Sequence, residues 1–182
     1  DPEEMLQGKR IRTLVWPLYV PSLIHAISRG IMLPVLPLFA LELGESYGSV
    51  GLIVAGEGIG ALIGAVPAGK FLKRFGRRVS MLLGCSITMF AIVFMAFAES
   101  VQEAFAICVF TGIGSMIFNI ACHGYLAESV AVQNRGKAIA TYGGVGRIGL
   151  LIGPALGGWL GASAGLRVPF LFCGIAEAAT FI

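Results

Sequence analysis

The sequence predicts an all-α protein, a polytopic bundle of helices that cross a lipid bilayer. Its 182 residues are 57% hydrophobic and 13% charged, whereas soluble domains average about 45–50% and about 25%. The apolar residues fall into runs of the length that spans a bilayer, about 20 residues. The 26 glycines are concentrated inside those runs, as expected where membrane helices pack through small residues. Together these observations exclude a soluble globule.

Six apolar runs predict six spanning helices. We expect them to form one transmembrane domain over residues 1–182, and we interpret the chain as part of a longer protein because the last run stops without a closing charge or turn. The predicted spans, numbered one to six, are 13–40, 50–71, 79–98, 104–126, 138–160 and 168–182.

A basic stretch at residues 69–78 separates spans two and three and holds five of the thirteen Lys and Arg residues. Between two membrane-length runs, this pattern is typical of a tight hairpin held on the cytoplasmic side by its charge. Gly69 and Gly76 flank the bend, where unusual backbone angles or a close helix approach would require glycine.

Orientation follows from the Lys and Arg residues counted on each side of the predicted spans. Ten lie in the N-terminal segment and in the loops after spans two and four, against Arg167 alone on the other side. Because cytoplasmic loops carry the excess of positive charge, this count predicts a cytoplasmic N-terminus. We expect a multi-pass protein of the plasma membrane.

Several other classes of protein are disfavoured. The net charge of +3 does not suggest a nucleic-acid partner, and the four cysteines lie inside apolar runs without metal-ligand spacing, so we interpret them as small buried hydrophobes. No Gly-rich phosphate loop with Lys-Ser/Thr is present. The sequence therefore predicts no metal, no cofactor and no enzyme activity.

An internal repeat links spans two and five. Residues 59–64 and 148–153 both read Ile-Gly-x-Leu-Ile-Gly, at an offset of 89 residues without a gap. Equivalent helices three spans apart cross the membrane in opposite directions, so the repeat predicts a three-plus-three inverted arrangement, typical of transporters. Chance similarity between two Gly-rich helices is the alternative.

Three motifs resemble the major facilitator superfamily. The basic stretch resembles the family's signature between the second and third helices, and Glu128 with Arg135-Gly136 resembles the acid and Arg-Gly that follow the fourth. Span five resembles the antiporter signature, through Gly149, Gly153, Pro154, Gly157 and Gly158. The resemblance covers the whole chain as the N-terminal half of a twelve-helix transporter, similar to the drug–proton antiporter branch. It implies a missing C-terminal six-helix half as partner, and a cytoplasmic gating region comprising Gly69, Lys73, Arg74, Gly76, Arg77, Arg78, Glu128 and Arg135.

The chain also departs from the family pattern at two positions. Lys73 replaces the acid of the basic-loop signature, and Cys108 stands where drug–proton antiporters carry an Arg in the fourth helix. The family's proton-coupling role for that Arg therefore does not transfer, and antiport is the weaker part of the expectation.

Ionisable residues inside the spans are the strongest site candidates, because a charge at the bilayer centre costs at least about 2.5–3.5 kcal/mol. The candidates for solute or proton binding are His25, Arg29, Glu57 and Arg147. Arg29 and Glu57 lie at similar depths, which predicts a salt bridge across the first hairpin; a purely structural pair is the alternative. His123 fits an interfacial or packing role better, and the resemblance disfavours Glu177 as a site residue because the family places its sixth helix at the periphery.

The function these features favour is secondary active transport of a small organic solute by alternating access, driven by an ion gradient, with a proton as the expected coupling ion. The alternative is a membrane sensor or assembly subunit built on the same fold without transporting.

Overall fold

The computed structural model describes residues 18–43 and 46–181, and within them the chain is helical with no β-strand. The start of predicted span one and Glu45 lie outside the described residues. The all-α prediction is confirmed, and among the described residues four helical segments are long and apolar enough to cross a membrane. The helices are α1 (Val20–Glu42), α2 (Tyr47–Met95), α3 (Val101–Ser129), α4 (Arg135–Ala164) and α5 (Val168–Ala178), with short 3₁₀ turns at Val132–Asn134 and Ala179–Phe181.

Helix α2 contains predicted spans two and three, joined through a bend at Gly76. The helix is 49 residues long, and Gly76 inside it has φ 79° and ψ 173°, a backbone region open essentially only to glycine. The helix therefore extends past the approximate span limits predicted at residues 71 and 79, up to the bend on both sides. We call residues 47–75 the first limb of α2 and residues 77–95 the second limb.

The first limb runs parallel to α3. A Cβ atom added to Gly56 would lie 3.1 Å from the carbonyl oxygen of Phe105, and one added to Gly64 would lie 3.0 Å from the Cα of Ile113. Residue numbers rise together along both helices, which defines the parallel direction. Glycine on the first limb removes the side chains that would hold the helices apart.

The second limb runs antiparallel to α3. A Cβ atom on Gly84 would lie 2.6 Å from the amide nitrogen of Phe118. A Cβ atom on Gly114 would lie 2.5 Å from the hydroxyl of Thr88. Residue numbers fall on one helix as they rise on the other, so the chain reverses direction at Gly76.

Helices α1 and α4 form a second parallel crossing. A Cβ atom on Gly149 would lie 2.6 Å from the Cβ of Ala26, and one on Gly153 would lie 2.5 Å from the Cα of Gly30. Gly149 and Gly153 are the repeat counterparts of Gly60 and Gly64. Each copy of the repeated sequence thus packs its glycine face on a parallel helix.

Helix α5 completes the bundle and runs antiparallel to α1. Its Phe170 ring meets the Phe39 ring edge-on, with centroids 5.1 Å apart, while Glu177 reaches His25 lower on α1. Its buried face carries Phe170, Cys173, Gly174 and Glu177, the i, i+3, i+4, i+7 spacing of one helix side. Helix α5 thus packs one face on α1, while Leu171, Phe172 and Ile175 on its other side are exposed.

Candidate functional site

Arg29 and Glu57 form an ion pair between α1 and the first limb of α2. The Arg29 Nη2 atom lies 2.7 Å from the Glu57 Oε1 atom, and the two side chains are 44% and 32% exposed. The salt bridge predicted from matching depth is therefore confirmed. Its partial exposure places it on an open side of the bundle, where a solute could reach both groups.

His25 lies one turn from Arg29 on α1 but belongs to a different cluster. Its Nδ1 atom lies 2.9 Å from the Oε1 atom of Glu177, and its ring centroid lies 4.9 Å from that of Phe118. The His25 and Glu177 side chains are 6% and 0% exposed. The structure thus separates His25 from the half-exposed pair with which we had grouped it.

Glu177 is the residue that sequence reasoning undervalued. Both carboxylate oxygens have partners, since the Cys85 thiol donates towards Oε2 at 3.8 Å and His25 contacts Oε1. A usable signal was present in the sequence, because Glu177 continues the apolar stripe of Phe170 and Cys173. A carboxylate on the apolar face of a helix indicates a buried partner.

Arg147 is exposed on α4 and, among the described residues, has no acidic side chain within ion-pair distance. It lies off the buried glycine face of Gly149 and Gly153, as its sequence position suggests. The structure does not bring it into contact with Arg29 or Glu57. Its charge instead faces the open side of α4.

A polar contact links α3 to α4 near the same open side. The Tyr142 hydroxyl donates to the Asn119 Oδ1 atom over 3.1 Å, and the Tyr142 ring lies edge-on to the exposed His123 ring at 5.2 Å between centroids. His123 therefore packs against an aromatic neighbour, in agreement with the packing role expected for it.

The antiporter-like stretch of α4 divides into a buried and an open side. Gly149, Gly153 and Gly157 are buried against α1, whereas a Cβ atom on Gly158 would meet nothing within 4 Å. Pro154 lies within the helix, next to the crossing. The four-residue glycine spacing thus forms the close crossing that it predicted, and Gly158 lies outside that crossing.

The basic stretch is helical on both sides of Gly76 and is tied to the end of α3. The Arg77 guanidinium forms an ion pair with Glu128 and lies 5.7 Å from the centroid of the Tyr125 ring. A close helix approach explains neither flanking glycine, because a Cβ atom on Gly69 or on Gly76 would meet nothing within 4 Å. Gly76 is required for its backbone conformation, and that reason does not apply to Gly69.

The remaining basic residues of the predicted gating region are at the surface. Lys73, Arg74 and Arg78 are exposed, and Arg74 lies 5.5 Å from the centroid of the Phe75 ring. Arg135, also exposed, donates from Nε to the Val130 carbonyl over 3.3 Å. These charges gather at one end of the bundle.

All four cysteines, Cys85, Cys108, Cys122 and Cys173, are free and buried. Their interpretation as small buried side chains is therefore confirmed. Within the described residues no group of three or more His, Cys, Asp or Glu side chains could hold a metal ion.

The fold and the motifs agree with the comparison to known families. The family profile described as Major Facilitator Superfamily matches residues 18–182, so the chain belongs to this superfamily. With its apolar helices of spanning length, it is an integral membrane protein.

Similar proteins include transporters that confer drug resistance. Multidrug resistance protein 2 of Bacillus subtilis is 29% identical over 143 residues, which cover 79% of this chain and 36% of the relative. Quinolone resistance protein NorA of Staphylococcus aureus is 21% identical over 168 residues, covering 92% of this chain and 43% of the relative. The chain thus spans less than half the length of both relatives.

A solved structure with the same fold is the crystal structure of a D-xylose-proton symporter. It superposes with a TM-score of 0.78 at 18% identity, covering 93% of this chain and 46% of that chain. This likeness establishes the fold.

Proposed function

We propose that the chain is the N-terminal half of a secondary active transporter that moves a small organic solute by alternating access. The observation that carries the proposal is the Arg29–Glu57 ion pair, held half-exposed between α1 and the first limb of α2. Ionisable residues at membrane depth are expensive and mark solute or ion pathways. A pair accessible from one side can exchange its internal partner for a charged group of the solute.

Helix directions support six alternating crossings arranged as a three-plus-three inverted repeat. The first limb of α2 is parallel to α3, α1 is parallel to α4, and the chain reverses at Gly76. An inverted repeat produces this exchange of partners, because each half-repeat lends one glycine-faced helix to the other. On this proposal the two limbs of α2 are separate spans, and α5 is the sixth.

An open face supports a second six-helix half as the partner of this one. Side chains on the first limb and α4 are strongly exposed, with Leu62 at 76%, Leu151 at 79% and Trp159 at 67%. Arg147 lies on α4 among glycines whose Cβ positions are open. In the proposed complete transporter, Arg147 faces the solute pathway across from Arg29 and Glu57.

The charged end of the bundle supports a cytoplasmic N-terminus and a gating role for the basic stretch. Exposed basic residues gather where the bend of α2 meets the end of α3. Positive charge at one end of a helix bundle favours the cytoplasmic face. Drug or metabolite efflux by proton antiport at the plasma membrane completes the proposal, and the relatives' role in drug resistance supports its efflux part.

Solute counterflow tests this proposal in the full-length parent protein reconstituted into liposomes. A labelled quinolone and labelled D-xylose serve as first probes. One relative is a quinolone resistance protein, and a protein with the same fold is a D-xylose-proton symporter. We expect exchange of at least one probe by the wild type. Arg29→Ala, Glu57→Ala and the double variant should insert into the membrane but lose exchange.

The matched control removes one acid and one base from exposed positions outside the pair and outside the basic stretch, Glu42 and Lys137. This control should exchange solute as the wild type does. A structural pair would behave differently: each single variant would misfold, and the double variant would restore both folding and transport. Wild-type exchange with unchanged pH dependence in the Arg29→Ala/Glu57→Ala variant would contradict the functional role.

A further inference from the structure

The His25–Glu177 pair lies in a closed polar layer inside the bundle. In this layer the Cys85 thiol donates to Glu177 and the Phe118 ring covers His25. Four helical segments meet there, namely α1, the second limb of α2, α3 and α5. The layer therefore lies within the packed half, apart from the half-exposed Arg29–Glu57 pair.

A second polar layer lies one helical turn further along each of these segments. Ser28 and Thr88 follow His25 and Cys85 by three residues, and Ser115 precedes Phe118 by three residues on α3, which is antiparallel to the second limb. The Cys173 thiol, one turn from Glu177 on α5, donates to the Ser28 carbonyl over 3.8 Å. The two layers stack into a polar column.

The column holds every buried side-chain polar atom without a hydrogen-bond partner in the described part of the chain. These atoms are His25 Nε2, Ser28 Oγ, Thr88 Oγ1 and Ser115 Oγ. Buried polar groups in native proteins are nearly always satisfied, so four orphans in two adjacent layers require an explanation. One explanation is that these groups exchange protons with each other through transient contacts.

The charges around the pair are few. Arg29, one turn away on α1, is engaged by Glu57. The other titratable groups are thiol and phenol side chains on the surrounding segments: Tyr19 at the start of α1, Cys85 on the second limb, Cys122 on α3, Tyr142 on α4 and Cys173 on α5. No other acid or base within the described residues contacts His25 or Glu177, so the pair depends on its own protons for charge balance.

We propose that His25 and Glu177 form a proton-binding site reached through the hydroxyl column of Ser28, Thr88 and Ser115. In the empty state, the Nδ1–H of a neutral His25 ring donates to the Glu177 carboxylate, and Nε2 has a free lone pair. A hydronium ion gives its proton to Nε2: one N–H bond forms, one O–H bond breaks, and water leaves. The loaded pair, imidazolium with carboxylate, is electrically neutral.

The neutral loaded state explains why a proton can drive a shape change. An unloaded pair leaves a net negative charge buried among apolar helices, which is costly. Protonation of His25 removes that charge and strengthens the His25–Glu177 contact between α1 and α5. Because α1 also carries Arg29, a change in how α1 packs on α5 transmits to the Arg29–Glu57 pair.

The direct test observes the His25 proton in the full-length protein. Nuclear magnetic resonance of ¹⁵N-labelled histidine would follow ring protonation from mildly acidic to mildly alkaline pH, with His25→Gln assigning the signal. We expect the protonation of the His25 ring to differ between the wild type and Glu177→Gln, because the proposed site needs the carboxylate. The exposed-site control Glu42→Gln should match the wild type.

This test does not depend on transport. Its result therefore distinguishes the proton-binding site from the proposed transport function, on which the coupling of proton to solute rests. A His25 ring that does not change protonation, or that titrates identically in Glu177→Gln, overturns the proposal. Absence of counterflow in the wild type would overturn the proposed function and leave the proton titration standing.

Transport measurements give a second, independent readout. Glu177→Gln should retain counterflow of the exchanging probe, quinolone or D-xylose, while pH-gradient-driven movement falls to the level of empty liposomes. Thr88→Val keeps the side-chain shape and should slow only the gradient-driven movement. Gradient-driven movement at wild-type rate in Glu177→Gln contradicts the proposal. Loss of assembly in both Glu177→Gln and His25→Gln would assign the pair to folding and also overturn it.

Discussion

Gly30 and Gly153 stand backbone to backbone where α1 crosses α4. A Cβ atom on Gly153 would lie 2.5 Å from the Gly30 Cα, and one on Gly30 would lie 2.9 Å from the Gly153 Cα. Neither helix can move away without opening the crossing, because backbone atoms rather than flexible side chains fill the space. This contact sets the distance between α1 and α4.

Adding one methyl group at this crossing should destabilise the bundle. For Gly153→Ala we expect a loss of about 1–3 kcal/mol in the free energy of unfolding, the usual cost of overpacking. Unfolding of the purified full-length protein in detergent, followed by tryptophan fluorescence, measures the effect. Gly158→Ala is the matched control, because its Cβ position is open. Equal stability of the two variants would mean that the crossing is looser than described.

The bend of α2 should depend on Gly76 and not on Gly69. Gly76→Ala forces a side chain into a backbone region that glycine alone adopts readily, so we expect a loss of about 1–3 kcal/mol. Gly69 is helical with open space around it, and alanine there should be neutral or stabilise by about 0.5–1 kcal/mol. Thermal unfolding of both variants decides this, and a tolerant Gly76→Ala would contradict the conformational argument.

The Arg77–Glu128 pair should matter more for transport than for stability. The two side chains are 33% and 68% exposed, and exposed ion pairs contribute about 0–1 kcal/mol. A double-mutant cycle on unfolding should therefore give a coupling energy below about 1 kcal/mol. Counterflow should fall in Arg77→Ala, because the bend of α2 loses its tie to α3.

Lys137→Ala serves as the control for that series, since Lys137 is an exposed base on α4 outside the basic stretch. It should leave both stability and counterflow unchanged. Wild-type counterflow in both Arg77→Ala and Glu128→Ala would reduce the basic stretch to an orientation signal.

Membrane orientation is testable by cysteine labelling in a cysteine-free background. Single cysteines at positions 74 and 135 should stay protected from an impermeant reagent applied to intact cells. Positions 103 and 167, at the opposite end of the bundle, should be labelled. The Arg167 guanidinium donates to the carbonyls of Ala96 and Ala98, so position 167 lies at the end of the second limb. Labelling of position 74 but not of position 103 would reverse the proposed orientation.

Properties that depend on counting along the chain could be predicted from the sequence. Arg29 and Glu57 lie at similar distances from the turn between their helices, so their pairing followed from helix rise alone. The four-residue spacing of Gly149, Gly153 and Gly157 likewise predicted a close crossing, because that spacing places all three on one helix face.

Properties that depend on how helices rotate against each other could not be predicted this way. The partner of Glu177 depends on the face that α5 turns towards α1, and one sequence does not fix that rotation. The bend at Gly76 was expected as a loop, because periodicity does not reveal that a single glycine can reverse a helix. The role of Arg147 remains a prediction, since its proposed counterpart lies across the pathway.

The exchanged pairing of the helices also constrains how the protein is made. Ribosomes deliver α1 to the membrane well before α4, yet α4 is the parallel helix whose glycine face packs on α1. Until then the contact face of α1 meets lipid or the insertion machinery. The bundle therefore matures late and cooperatively, and a nascent chain that stalls after α3 holds an unfinished α1 that quality control can recognise.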